Sequence, residues 1–136
     1  MPSVFSRIIA GELPAHFVWQ DDQCVAFLSI RPLQPGHSLV VPRLEVDDWL
    51  DLDPALLAHL MDVSQRLGRA LQRGFGTPRV GVMIAGFEVP HVHLHLVPMR
   101  TERNLRLSEA SLTTRPDELE RAAETIREAL AATGTL

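Results

Sequence analysis

The chain has 136 residues, of which 46% are hydrophobic and 22% charged, with a net charge of −4 and one cysteine, Cys24. That length suits one domain with a real core, and the composition excludes wholesale disorder. The acidic balance argues against nucleic acid or an anionic membrane as main partner, and the lone cysteine excludes an internal disulfide or a cysteine-rich zinc module. No apolar run reaches the roughly 18 residues that span a bilayer. The opening MPSVFSRIIAGELP is too short and interrupted for a secretory signal, so the expectation is a soluble, cytoplasmic protein.

In chain order, Ser3 is placed to cap a short helical turn with Phe5, Ile8 and Ile9 facing inward, stopped by GELP at 11–14. Phe17 to Ile30 predicts a hairpin: FVW, a polar turn over Gln20–Gln23, then VAFLSI. RPLQPG (31–36) is a loop, and HSLVVP (37–42) a strand whose continuous apolar run suits a sheet covered on both faces. Asp53–Pro54 starts a helix carrying Leu56, Leu57, Leu60, Met61, Leu67 and Leu71 on one stripe, closed by Gly74 and Gly76. RVGVMIA (79–85) and VHLHLVP (92–98) are strands joined by the short connection GFEVP. A polar surface segment over 100–115 then leads to a second helix over 117–132, with Leu119, Ala123, Ile126 and Leu130 on one stripe. The order predicts an α+β fold with an antiparallel sheet.

The chemistry concentrates in HVHLHLV at 91–97. On a strand His91, His93 and His95 share one face, about 6.5–7 Å apart, while Val92, Leu94 and Leu96 pack on a core through the other. The histidine face is then expected to be exposed or to line a cleft. A zinc site needs a third protein ligand, which LVPM after His95 does not supply, although Glu88 and His37 remain available through space. Histidines merely exposed on a strand would explain one or two of them, and three in register less well. The third reading is nucleophilic catalysis, in which one neutral imidazole attacks while its other nitrogen is held as a donor.

HVHLHLV, together with SVFSRIIAGELP, DDQCVAFLSIRPLQPGHSLVVP and EVPHVHLHLVP, resembles the histidine triad family of nucleotide hydrolases and transferases over roughly the first hundred residues. The resemblance implies an α+β histidine triad fold: a five-stranded antiparallel sheet, two main helices and a homodimer formed through a shared sheet and helix. Residues 1–100 form the domain core, with the polar connection and C-terminal helix of 101–136 packed on the same domain. It implies hydrolysis of a nucleoside phosphoramidate through a covalent nucleotidyl–histidine intermediate, with no cofactor and no catalytic metal. The nucleophile falls on His93. His95 matches the residue that orients it through a backbone carbonyl, His91 lines the phosphate site, and His37 is a fourth recurrent histidine. The purine and ribose pocket falls on Phe5, Ile8, Leu13, Phe27, Ser29 and Ile30, and the phosphate side on Gly86, Phe87 and Glu88. The rivals are a nucleotide-binding regulatory module with weak turnover and a metal-dependent hydrolase built on HVHLH.

Three features depart from the family pattern. Ser3 and Ser6 stand where many bacterial relatives have zinc-binding cysteines, and RLEVDD after Pro42 lacks the accompanying histidine, so no structural zinc is expected. Ser29 replaces a ribose-binding acid, which implies a weaker grip on the sugar. The connection AGFEVPH is short, with Phe87 where a phosphate-touching glutamine falls, so the phosphate cradle is sparse.

Overall fold

The computed structural model describes residues 1–134. Helix α1 (Val4–Ile9) begins where Ser3, in extended conformation, accepts the Ser6 N–H on its hydroxyl at 3.0 Å. Strands β1 (Phe17–Gln20) and β2 (Cys24–Leu28) form the expected hairpin. Its turn is set by one Asp21 carboxylate oxygen, which accepts the N–H groups of Gln23 and Cys24 at 2.8 Å each. Then follow β3 (Ser38–Pro42), α2 (Pro54–Phe75), β4 (Arg79–Met83), β5 (Leu94–Met99) and α3 (Pro116–Ala132). The five strands lie in the order β1-β2-β3-β5-β4, with every neighbouring pair antiparallel. The expected α+β fold is therefore the observed one.

The two faces of this sheet are covered differently. On one, α2 and α3 press Leu60, Val63, Leu67, Leu71, Ile126 and Leu130 onto Ala26, Val40, Leu94 and Leu96. On the other, α1 lays Phe5 over Val25, Phe27, Leu39 and Val41, with Ile8 and Ile9 packed alongside. His95 pairs with Leu39 across β3 and β5, which puts the histidines on the α1 side.

Several details differ from the expected ones. β5 starts at Leu94 rather than Val92, because the Val92 N–H pairs with the Val46 carbonyl in the loop after β3 (2.8 Å) instead of with a strand. His91 and His93 thus sit in an irregular lead-in, and the connection from β4 runs over 84–93. Gly76 closes α2 in the left-handed conformation (φ 63°), whereas Gly74 lies inside the helix. There a Cβ would come within 2.9 Å of Thr125 Cγ2, so Gly74 allows α2 and α3 to approach. Met61 is 44% exposed; Val63 and Ala70 take the inward positions.

Asp21 also ties the hairpin to α2, since its second oxygen accepts Trp19 Nε1 and His59 Nε2 at 2.8 Å and lies 3.5 Å from Cys24 Sγ. Partial burial works against its charge, but these donors and the two turn amides outweigh it and hold the carboxyl well below the usual range. Burial, reinforced by the Asp21 charge, pushes the Cys24 thiol up to about 12. Among the described residues Asp21, Cys24 and His59 form the one group of three possible metal ligands with converging atoms. With both Asp21 oxygens already engaged and the thiol protonated, the cluster is a structural tie. No helix among the described residues is long and apolar enough to cross a membrane.

Candidate active site

The sheet face under α1 gathers His37, His91, His93 and His95. All four are buried, at 2%, 0%, 3% and 5% exposure, and of the two places expected for this face, exposed or lining a cleft, His95 and His37 take the second. Phe5 meets the His93 ring edge-on at 4.9 Å between centroids, and His93 meets His95 the same way at 4.8 Å.

Backbone groups fix the tautomers. The His93 Nδ1 lies 2.7 Å from the His91 carbonyl, which can only accept, so the proton is on Nδ1 and Nε2 carries a lone pair. The Leu33 N–H donates to His37 Nδ1 at 3.0 Å, which leaves the His37 proton on Nε2. That proton is donated to His95 Nδ1 at 2.9 Å, so His95 presents an Nε2–H. Ser64 Oγ is the one described side-chain polar atom sealed from solvent without a partner. The Nε2 atoms of His93 and His95 make no hydrogen bond and are therefore solvent-reached. One lone pair and one N–H thus stand side by side at the mouth of a buried polar network.

Burial disfavours charge on every ring. His37 is lowered to about 3 and His95 to about 4, by burial first and by the neighbouring histidines second. His91 and His93 are lowered chiefly by burial, although the carbonyls they donate to, and nearby carboxylates, work the other way. The four are neutral at pH 7, the state in which an imidazole can attack.

A cavity of about 190 Å³ is lined by His95, His37, Ser29, Arg31 and Glu88, and closed by the 107–112 segment through Leu107, Ser108, Ala110 and Leu112. Neither the Arg31 guanidinium nor the Glu88 carboxylate has an ion-pair partner among the described residues. Sequence reasoning missed Arg31 and this wall, because a lone arginine after a strand and a polar linker carry no motif. Phe5 and Ile8 of α1 belong to one apolar cluster with Phe27, in which Phe5 and Phe27 are buried. Leu13 is half-buried and outside that cluster, and Ile30 is 71% exposed. Gly86 (φ 87°) and Phe87, 98% exposed, line a separate cavity with Trp49 and Ile84 instead of the one at His95.

Two roles are reassigned. The carbonyl that holds His93 belongs to His91, not His95. The His91 ring does not line the cavity: Nε2 donates to the Pro42 carbonyl at 2.8 Å and Nδ1 faces Ser3 Oγ at 2.7 Å. Around it Glu45 Oε1 accepts the Ser3 N–H at 2.7 Å and the Ser6 hydroxyl at 2.6 Å.

A HIT domain family model matches residues 10–102. An uncharacterized HIT-like protein of Mycobacterium tuberculosis is 37% identical over 136 residues, covering 96% of this chain and 94% of the relative. The adenosine 5'-monophosphoramidase of Saccharomyces cerevisiae is 31% identical over 102 residues, 74% of this chain and 65% of that one. A zinc-bound histidine triad family protein of Mycobacterium smegmatis superposes with a TM-score of 0.81 at 31% identity, covering 97% and 95% of the two chains. At the Ser3, Ser6, Glu45 and His91 cluster zinc would meet two neutral hydroxyls, one carboxylate and a ring nitrogen that already accepts a proton, a donor set that does not fit it. With its sheet order, its histidine cluster and these likenesses together, the chain belongs to the HIT domain family.

Proposed function

We propose that this protein is a nucleotide-binding hydrolase that cleaves nucleoside phosphoramidates through a nucleotidyl adduct on His93. The observation that carries the reading is the fixed pair of Nε2 atoms: a lone pair on His93 and an N–H on His95, in rings 4.8 Å apart. In the first step His93 Nε2 bonds to phosphorus and the phosphorus–nitrogen bond breaks, the amine leaving with a proton taken from water. The His91 carbonyl then accepts from a ring that has become cationic, which stabilises the adduct, while His95 donates to a phosphoryl oxygen. In the second step water bonds to phosphorus and gives a proton to the hydroxide left by the first, the His93–phosphorus bond breaks, and a nucleoside monophosphate leaves. Phe5, Ile8 and Phe27 supply the apolar wall for a purine, and Ser29 faces the sugar. No step calls for a metal.

The yeast relative's named activity, that of an adenosine 5'-monophosphoramidase, supports this substrate class. Ammonia and AMP release from adenosine 5'-phosphoramidate tests it. The wild type should turn over and His93→Ala should not; equal release by both would remove the proposal.

One observation favours the rival, a nucleotide-binding module with weak turnover. Glu88 places a carboxylate in the cavity beside His95, where it repels an incoming phosphate. AMP binding without measurable release would select that reading.

The proposal extends to a homodimer. β4 is an edge strand, and a groove of about 650 Å³ runs between it and α2, with Met61 and Val82 exposed at its rim. A second copy pairing edge to edge would cover it. Light scattering should give twice the chain mass, and Met61→Glu should halve it; a monomeric wild type would contradict the assembly.

A further inference from the structure

The cluster at the start of α1 is more than a helix cap. The Pro42 carbonyl takes the proton on His91 Nε2, so His91 Nδ1 must accept. The Ser3 hydroxyl, 2.7 Å away, is therefore the donor, while its own lone pair accepts the Ser6 N–H at 3.0 Å. A hydroxyl has one proton, and Ser3 has spent it. Ser6 Oγ then gives its proton to Glu45 Oε1 at 2.6 Å, the same oxygen that holds the Ser3 N–H at 2.7 Å. Ser3 is 6% exposed and His91 is fully buried, so solvent does not substitute for these partners.

Each bond leads to the next. Glu45, on the loop after β3, fixes the first residue of the α1 cap; Ser3 donates to the His91 ring whose tautomer the Pro42 carbonyl sets; and the His91 backbone carbonyl holds His93 Nδ1 at 2.7 Å. The same cap orients Phe5, which packs edge-on against both His93 and His91, at 4.9 and 5.8 Å. We propose that Glu45 and Ser3 are positioning residues: a carboxylate clasp that holds α1, and with it the Phe5 ring, against His91 and His93, so that the His93 ring keeps the orientation that presents its Nε2 lone pair. For its effect on turnover the proposal rests on the nucleotidyl-transfer reading above; for its effect on ring contacts it does not.

The test uses the full chain, with NMR of the aromatic and imidazole protons for ring contacts and steady-state kinetics on adenosine 5'-phosphoramidate. In wild type the Phe5 ring should show close contacts to the His93 ring. In Ser3→Ala and Glu45→Ala those contacts should weaken, and kcat should fall about tenfold or more with KM within about twofold, since orientation rather than affinity is lost. Glu45→Gln, which keeps an acceptor oxygen, should recover most of what Glu45→Ala loses. Glu45 is exposed, so Glu45→Ala stays a folded test if Ser3→Ala does not fold. Unchanged Phe5–His93 ring contacts and unchanged kcat in folded Glu45→Ala would overturn the clasp. A wild-type protein that turns over nothing would sink the enzymatic reading instead and leave the NMR result to decide the clasp.

Discussion

The two faces of the sheet are held by different physics, and β5 takes part in both. Leu94 and Leu96 point into the layer beneath α2 and α3, where they are fully buried among aliphatic side chains. Between and before them, His95 and His93 point under α1, where each ring is tied by a hydrogen bond to a neighbouring histidine or carbonyl. On the first face stability comes from apolar area, which tolerates any good packing. On the second, burial costs free energy unless every polar atom has a partner, so its geometry is specified atom by atom. A residue's neighbour on the strand is thus a poor guide to what its loss will do.

The sharpest contrast is between adjacent residues. His93→Ala should lower turnover about a thousandfold or more if His93 is the nucleophile. Leu94→Ala should instead cost about 2–5 kcal/mol of stability by opening a cavity. Chemical denaturation and phosphoramidate kinetics on the pair measure both, and a His93→Ala protein that unfolds as readily as Leu94→Ala would break the contrast.

Acid should find the histidine face first. The four rings are neutral when folded, with His95 near 4 and His37 near 3, whereas the unfolded chain protonates near 6.5. Below that value the unfolded state binds protons the folded state excludes, so stability is complete above it and falls as the pH drops from 6.5 towards 4. Each such imidazole contributes up to about 1.4 kcal/mol per pH unit. His37→Gln should flatten the slope of Tm against pH over that window, and an unchanged slope would show that His37 takes no part in it.

The smallest effect concerns the cavity. Ser29→Asp should tighten AMP by about one kcal/mol, roughly fivefold, because a carboxylate can accept from both ribose hydroxyls. Calorimetry with AMP and its 2′,3′-dideoxy analogue should place the gain on AMP alone. An equal gain on both would mean that Ser29 does not face the sugar.

Much of this was legible from periodicity. The α3 stripe Leu119, Ala123, Ile126 and Leu130 is buried as its spacing implies, and Ser3, the polar turn before Cys24 and Gly76 mark element ends by local chemistry. The alternation in HVHLHLV placed Leu94 and Leu96 correctly and put the histidines on the other face, but left open whether that face is exposed or lines a cleft. Period two says which residues share a face and nothing of what covers it. That cover is α1, more than eighty residues away in sequence, and the partners of His91 are equally remote: Ser3 lies 88 positions off and Pro42 lies 49. Arg31 and the 107–112 wall were illegible for the same reason, since only tertiary closure brings them to His95. Gly86 and Phe87 line another cavity, although the next residue, Glu88, reaches the one at His95.

The role of His93 has one direct test. The protein is mixed with a slight excess of adenosine 5'-phosphoramidate, quenched within the first turnover and digested under conditions that preserve phosphorus–nitrogen bonds. Mass spectrometry should find one adenylyl group, on His93, and none in His93→Ala. Turnover with no adduct at any time point, or an adduct on His91, His95 or His37 in place of His93, would contradict the assignment of the nucleophile.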